Sequence, residues 1–343
     1  MSRVIGIDPG TVSIDLCGLE GGVVWLDRSF PTRNALKDPA AFVTLLSEGG
    51  RPDLIAGPSG YGLPLVRADQ VTERELHLAF LAADGEPGGI GGLRTLVKIL
   101  ADSGLPVIYT PGVIHLPSVP SHRKLNRVDL GTADKVAVAA LAISEQARRL
   151  DVAPARTSFI LLELGGAFTA ALAVDQGAIV DGIGGTGGPL GWQSSGGWDG
   201  EVAFLAGSLT KDMLFRGGRI GAQDEPSGFA AYVESAHKAV LALTASLPAP
   251  REILLSGRHA RDTDVRSVLE PRLAAIAPVF DVKGFAQVAK QGAQGAALIA
   301  DGLAGGEHRV LVDTLRLRES SGSALDYLRV ITPEAARRRI GLD

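Results

Sequence analysis

Hydrophobic residues along the chain gather in short β-branched runs punctuated by glycine turns, and in longer runs of small apolar residues with helical spacing. VIGI (4–7), VSIDLCGL (12–19) and VVWLDRSF (23–30) are separated by PGT and EGG turn signals, which predicts a three-stranded antiparallel meander. A helical stretch over 39–47 leads into DLIAG (53–57), which reads as the next strand. TERELHLAFLA (72–82) predicts a helix that starts with a capping box, Thr72 followed three residues on by Glu75. LRTLVKILADSG (93–104) and PVIYTP (106–111) predict a further helix and strand. From Gly131, GTADKVAVAALAISEQARRL predicts a long helix with Asp134 in its first turn and two arginines in its last, as the helix dipole favours.

The second half restarts the first. The polar, proline-bearing DVAPARTS (151–158) marks the boundary, and SFILLELGG then repeats SRVIGIDPG: a β-rich run, a carboxylate (Glu163 against Asp8), then glycine. AFTAALAV and GAIVDGIGG supply two more strands joined by a short turn. EILLSG, a helix over 262–275, PVFDV and a helix rich in small residues, FAQVAKQGAQGAALIADGLAGG, close the half. A duplicated unit carries more information than either copy alone. The expected division is 1–152, 153–305 and a C-terminal extension, 306–343, packing back on the N-terminal domain.

Composition narrows the class. The 343 residues include 34 Lys+Arg and 38 Asp+Glu, a net charge of −4 that does not suit a nucleic-acid-coating surface. With 45% hydrophobic and 21% charged residues the chain is expected to fold around buried cores. Cys17 is the only cysteine, which excludes an internal disulfide and any multi-cysteine metal site. No apolar run reaches the ~20 residues that span a bilayer, and the start lacks a signal-peptide core. A cytoplasmic protein without a membrane or nucleic-acid partner is expected, with a homodimer open as its assembly.

Glycine is in excess, at 44 residues, and four sites stand out because glycine follows a strand or opens a helix. In Gly6-Ile7-Asp8-Pro9-Gly10-Thr11 an acid ends a buried strand ahead of a glycine hairpin and a hydroxyl. That arrangement can hold Mg²⁺ through the carboxylate and phosphate through backbone N–H groups and Thr11; the plainer reading is a hairpin with a solvent-facing Asp. Gly165-Gly166-Ala167-Phe168-Thr169, after Glu163, is the matching loop, so two hairpins facing each other would clamp a polyphosphate. Gly257, after LLS, and Gly292, at the start of GAQGA, would let a flat ring approach the backbone. The alternative for both is tight helix–strand packing.

In this order the motifs resemble the actin-like ATPase superfamily of acetate and sugar kinases, chaperone ATPases and actin. GIDPGT resembles its first phosphate motif, ELGGAFT its second and ILLSGRHA its adenosine motif, over nearly the whole chain. Within it, LELGGAFTAALAVDQGAIVDGIGGTGGPLGWQSSGG resembles the short-chain carboxylate kinases, and the chain is similar to a group described as predicted butyrate kinases. Glu163 departs from the His or Asp usual before the second glycine pair. The resemblance implies an α/β fold of duplicated RNase H-like domains with an interdomain nucleotide cleft, ATP and Mg²⁺ as cofactors, and a small carboxylate as the acceptor. It implies Asp8 and Glu163 at the metal. Gly10, Thr11, Gly165, Gly166 and Thr169 would surround the phosphates, with Gly257 and Gly292 at the adenosine.

Asp134, in Gly131-Thr132-Ala133-Asp134-Lys135, resembles the acid of the type III pantothenate kinase G-x-D-R helix, which activates a nucleophilic oxygen. A carboxylate acceptor is already ionised, so Asp134 would then position Mg²⁺ or substrate; a helix-capping acid is the plainer reading. Phosphoryl transfer needs positive charge around the moving group. Arg123, in the cluster His122-Arg123-Lys124 with Arg127, is the first-half source, and Lys211, Arg216 and Arg219 are the second-half candidates. The catalytic-arginine motif of known carboxylate kinases has no counterpart here. Three functions fit: a carboxylate kinase, a hydroxyl kinase with Asp134 as base, and a regulatory ATP-binding protein. A RuvC-like nuclease, which also carries GIDPGT, is disfavoured by the negative charge, by the adenosine strand and by its need for several carboxylates around two metals.

Overall fold

The computed structural model describes residues 2–10, 13–58, 60–82 and 93–342. The first half runs β1 (Arg3–Pro9), β2 (Ser13–Glu20), β3 (Val23–Pro31), α1 (Thr32–Lys37), α2 (Pro39–Leu46), β4 (Leu54–Pro58), β5 (Val66–Arg67), α3 (Glu73–Phe80), α4 (Leu93–Asp102), β6 (Val107–Thr110), α5 (Ser121–Lys124) and α6 (Ala133–Leu150). The second runs β7 (Ser158–Leu164), β8 (Thr169–Asp175), β9 (Ala178–Ile183), α7 (Gly200–Ala206), α8 (Glu225–Leu243), β10 (Glu252–Ser256), α9 (Thr263–Ala274), β11 (Val279–Asp281) and α10 (Gln291–Leu303). Two short helices follow, α11 (Arg309–Thr314) and α12 (Pro333–Arg339).

Both meanders form as the alternation predicts, and the sheets built on them share one order. The first sheet is β3-β2-β1-β4-β6-β5 and the second β11-β10-β7-β8-β9, the same sequence of strands with β5 added at one edge. In each, the first two strand pairs are antiparallel and the next two parallel. The repeat extends to irregularities. The bulge at Gly18/Leu19 in β2 recurs at Ala173/Val174 in β8, the same number of residues past the hairpin glycines Gly10 and Gly165. The capping box of α3 is also present: the Thr72 backbone N–H donates to the Glu75 carboxylate at 3.0 Å. The small-residue helix is shorter than its pattern, because Gln294 turns its side chain back onto the backbone of Phe285, Ala286 and Ala289 and holds 285–290 as a loop.

The last helices of the two halves, α6 and α10, lie against one another between the sheets. Gly6 lets α10 pack on β1, since a Cβ there would lie 2.1 Å from the Ala293 carbonyl oxygen. Gly295 lets α10 meet α6, where a Cβ would lie 1.8 Å from the Ala137 carbonyl oxygen. Gly295 and Ala137 stand equally far past their N-caps, Lys290 and Thr132, so the helices touch at corresponding points. One apolar core runs continuously through Val4, Cys17, both helices, and Phe159, Leu161, Leu172 and Val174 of the second sheet. The far faces of the sheets have separate cores, one around Phe42 and Tyr109 and one around Tyr232 and Leu269. After α11 the chain returns to the first half. The Leu65 N–H donates to the Ser320 hydroxyl (2.9 Å), and Leu325, Ala336 and Ile340 pack with Leu78 and Leu81. Among the described residues no helix is long and apolar enough to cross a membrane.

Candidate active site

The strand order brings the C-terminal ends of β1 and β7, and therefore Asp8 and Glu163, to the N-termini of α6 and α10. The two hairpins close alike. The Gly10 N–H donates to the Ser13 carbonyl at 2.8 Å and the Gly165 N–H to the Phe168 carbonyl at 3.0 Å, each two residues after the carboxylate. Thr11 lies outside the described residues.

Lys135 is the centre of the site. Its ammonium donates to Asp134 Oδ2 at 2.7 Å and to Glu163 Oε1 at 2.6 Å, joining the start of α6 to the second hairpin. The Thr132 hydroxyl holds the other oxygen of Asp134 at 2.5 Å. Burial works to raise the pKa of Asp134, but Lys135 and the Thr132 hydroxyl outweigh it and hold the carboxyl below its ordinary value. Burial would discharge Lys135, yet the two carboxylates raise its pKa and keep it charged. Glu163 is pushed upward by burial, with Lys135 opposing and Asp134 reinforcing. Its second oxygen, Oε2, is buried without a hydrogen-bond partner.

Asp8 is half-buried beside this group. Burial first, then the charge of Asp134, raises its pKa to about 7, against the opposing pull of Lys290 and Lys135. Asp15 faces Asp8 directly across the β1–β2 ladder and is itself 2% exposed. Lys290, the N-cap of α10, balances that pair: its ammonium lies 2.6 Å from Asp15 Oδ2 and donates to the Ser13 hydroxyl at 2.8 Å.

The structure thus gathers Asp8, Asp134 and Glu163 with the glycines Gly10, Gly165 and Gly166. Gly166 is exposed, with the aliphatic stem of Arg258 alongside. The other expected residues have different partners in the structure. Arg123 is not at the site: its guanidinium donates to the Val180 carbonyl and lies 3.8 Å from Asp181, fastening α5 to the edge strand β9. Thr169 is fully buried on the face of β8 that carries Ala171 and Ala173 toward α8, so its hydroxyl does not face the hairpin's outer surface. Gly292 is a glycine because Asp8 occupies that space; a Cβ would lie 2.6 Å from Asp8 Oδ2. Gly257, at φ +90°, presses on β7, where a Cβ would meet the Leu164 carbonyl oxygen at 2.6 Å. Packing therefore explains both adenosine glycines, and a bulky residue at 257 would disturb the fold rather than only a base. Of the second-half cations, Arg216 pairs with Asp212, Arg219 pairs with Glu225 over the Trp192 ring, and Lys211 donates to the Phe80 carbonyl.

Sequence reasoning missed Asp15, Lys290 and the central place of Lys135. For Asp15 a signal was present, since strand alternation places it on the same face as the core residues Cys17 and Leu19. Asp129 carried no such signal. It accepts from the Gly131 N–H (3.0 Å) and from the N–H and hydroxyl of Thr186 (3.1 and 2.9 Å), tying the approach to α6 to the glycine loop after β9.

Two sheets of the same order, each opened by a hairpin with a terminal carboxylate and packed about a crossing helix pair, define an actin-like ATPase fold of duplicated RNase H-like halves. The comparisons agree. The acetate kinase of Entamoeba histolytica superposes with a TM-score of 0.59 at 10% identity, covering 80% of this chain and 87% of that one. The Porphyromonas gingivalis acetate kinase gives 0.58 at 15% identity (86% and 94% covered), and a propionate kinase from Francisella tularensis gives 0.56 at 14% (86% and 99%). At these identities the likeness is one of fold. By sequence the chain belongs to the family described as protein of unknown function (DUF1464), whose model matches residues 6–330. No curated protein sequence matches it.

Proposed function

We propose that the chain is an ATP-dependent phosphotransferase that moves the γ-phosphoryl group of ATP to a small carboxylate, giving an acyl phosphate and ADP, in the manner of the butyrate- and acetate-kinase-like proteins its motifs resemble. The observation that carries the choice of acceptor is Asp134. Its two oxygens are engaged by Thr132 and Lys135 and its pKa is held low. Such a group is a poor general base near neutral pH. A carboxylate acceptor needs none. Its oxygen attacks the γ-phosphorus, the bond to the β–γ bridging oxygen breaks, and ADP departs with that electron pair; no proton is transferred.

The hairpin N–H groups and the glycines Gly10, Gly165 and Gly166 would cradle the phosphates. The residues present fit Mg²⁺ held jointly with those phosphates. Glu163 Oε2 is buried and unpartnered, and the Asp8 carboxylate is disfavoured first by burial and then by Asp134, a cost that a divalent cation would offset. Among the described residues no group of three His, Cys, Asp or Glu could hold a metal ion alone, and Mg²⁺ commonly binds through one or two carboxylates plus phosphate oxygens. When bound, it would neutralise charge on the β- and γ-oxygens. Lys135 keeps Asp134 and Glu163 in register across the two halves, and Asp134 would orient the acceptor or the hydrated cation. The nucleotide would lie between domains 1–152 and 153–305.

A hydroxyl acceptor is the second reading, and its base would be Asp8, whose pKa of about 7 suits that work, rather than Asp134. The test is ATP consumption across panels of short-chain acids and of alcohols, with hydroxylamine trapping. An acid-dependent hydroxamate is expected. ADP formed with an alcohol and no hydroxamate from any acid would overturn the carboxylate reading; nucleotide binding without transfer to either panel would leave a regulatory ATP-binding protein.

A further inference from the structure

Among the described residues Lys135 is bound between two carboxylates and Arg123 is engaged by β9, whereas Lys290 stands beside the first hairpin. Resting on the ATP-binding reading, we propose that Lys290 is the phosphate-binding cation of the first hairpin, held by Asp15 until a nucleotide polyphosphate takes it over.

Placement is the first argument. Lys290 Nζ lies 3.6 Å from where a Cβ on Gly10 would stand, on the side that also carries the Ser13 carbonyl oxygen at 3.0 Å, and it already hydrogen-bonds the Ser13 hydroxyl of the same hairpin. Reach is the second. The Lys290 side chain is 53% exposed although its partner Asp15 is 2% exposed. The ammonium therefore sits at the boundary between a buried carboxylate and solvent, on a flexible four-carbon stem that can turn outward.

The third argument is the contrast between a fixed backbone and a swinging side chain. The loop 283–290 is anchored to the first half. Asp27 of β3 accepts from the N–H groups of Gln287 (2.8 Å), Val288 (3.0 Å) and Ala289 (2.7 Å), and Glu145 of α6 accepts from Lys283 at 3.0 Å. The Cα of Lys290 is thereby set against the β1–β2 hairpin even though it belongs to the second half. Charge is the fourth. Asp15 and Asp8 stand opposite each other on adjacent strands, where like charges are unfavourable. In the absence of ligand, Lys290 compensates that pair. An incoming polyphosphate offers more negative charge at the same spot, and a lysine ammonium binds it as a point charge.

The experiment is calorimetric titration of the full chain with MgATP, ADP and adenosine, for the wild type, Lys290→Gln, Lys290→Arg, Asp15→Asn and the Lys290→Gln/Asp15→Asn double variant. Lys290→Gln should weaken MgATP and ADP by about 10- to 100-fold, as expected for one charge-assisted hydrogen bond, and leave adenosine unchanged. Lys290→Arg should keep most of the affinity. Asp15→Asn should tighten MgATP binding in the wild type and do so much less in the Lys290→Gln background, because the competitor matters only while Lys290 is there to be competed for. Equal MgATP affinity in wild type and Lys290→Gln, or parallel loss of adenosine and MgATP, would assign Lys290 a purely structural role and overturn the proposal. A wild type that binds adenosine but no phosphorylated nucleotide also overturns it, and one that binds none of the three ligands removes the ATP-binding reading itself.

Discussion

The two hairpins share a backbone and differ in chemistry. Each closes through a glycine N–H two residues beyond a carboxylate, and each is followed by a bulge at the same place. Opposite Asp8, however, stands a second carboxyl, Asp15, whereas opposite Glu163 stands Ala170. The first hairpin therefore carries two facing carboxyls, one of them held by Lys290 of the second half. The second carries one carboxylate, held by Lys135 of the first half. Each half lends a lysine to the other's hairpin, so the site is complete only when both are assembled. A duplication can thus conserve strand order while dividing the electrostatic roles.

The largest effect expected from breaking this exchange is on stability. Lys135→Met would leave the half-buried Asp134 and Glu163 without their shared cation; removing one member of a fully buried ion pair costs about 3–5 kcal/mol, and the partial exposure of this group places the expected loss toward the lower end of that range. Urea unfolding should show the loss, and a change under about 1 kcal/mol would mean that Lys135 does not hold the two carboxylates together as described. Next is Asp8→Asn, which keeps shape and removes charge. Turnover should fall about 10²–10³-fold, the usual cost of losing one electrostatic group at a reacting centre, with the circular-dichroism spectrum unchanged.

The same variant sharpens the comparison through pH. Asp8 titrates near 7 when folded and near its ordinary 3.8 when unfolded. Between those values the folded chain holds the extra proton, so stability contributed by Asp8 falls as pH rises through that window. Asp8→Asn should flatten that part of the stability–pH curve; an unchanged slope would sink the assignment. The smallest effect is expected at the helix contact. Gly295→Ala would place a Cβ 1.8 Å from the Ala137 carbonyl oxygen, forcing α10 away from α6 at a cost of about 1–3 kcal/mol, readable as a lower thermal midpoint.

Much of this is legible in the sequence alone. The meanders followed from β-branched runs between glycine turns, the capping box of α3 from two residues, and the correspondence of Asp8 with Glu163 from repeat alone. Local rules suffice there because strand pairing across a tight turn and helix initiation are short-range events. The glycines show where such rules stop. Gly257 and Gly292 follow or open the right elements for a ring-binding role, yet Gly257 faces the backbone of Leu164 and Gly292 faces the Asp8 carboxylate. Whether a glycine makes room for a ligand or for the protein itself depends on what packs against it. Arg123 shows the same limit: its charge is visible in the sequence, but not the β9 carbonyl that engages it.

The sequence by itself determined the doubled α/β plan, the pair of carboxylate–glycine hairpins and the long helix beginning near Asp134, because hydrophobic period, turn residues and internal repetition are written along the chain. Only the tertiary structure decided which charges meet. Lys135 and Glu163 are joined at 2.6 Å, and Lys290 reaches Asp15 across most of the chain's length. Coulomb energy and desolvation depend on distance and burial in space. Those distances are fixed by the packing of α6 and α10 between the two sheets.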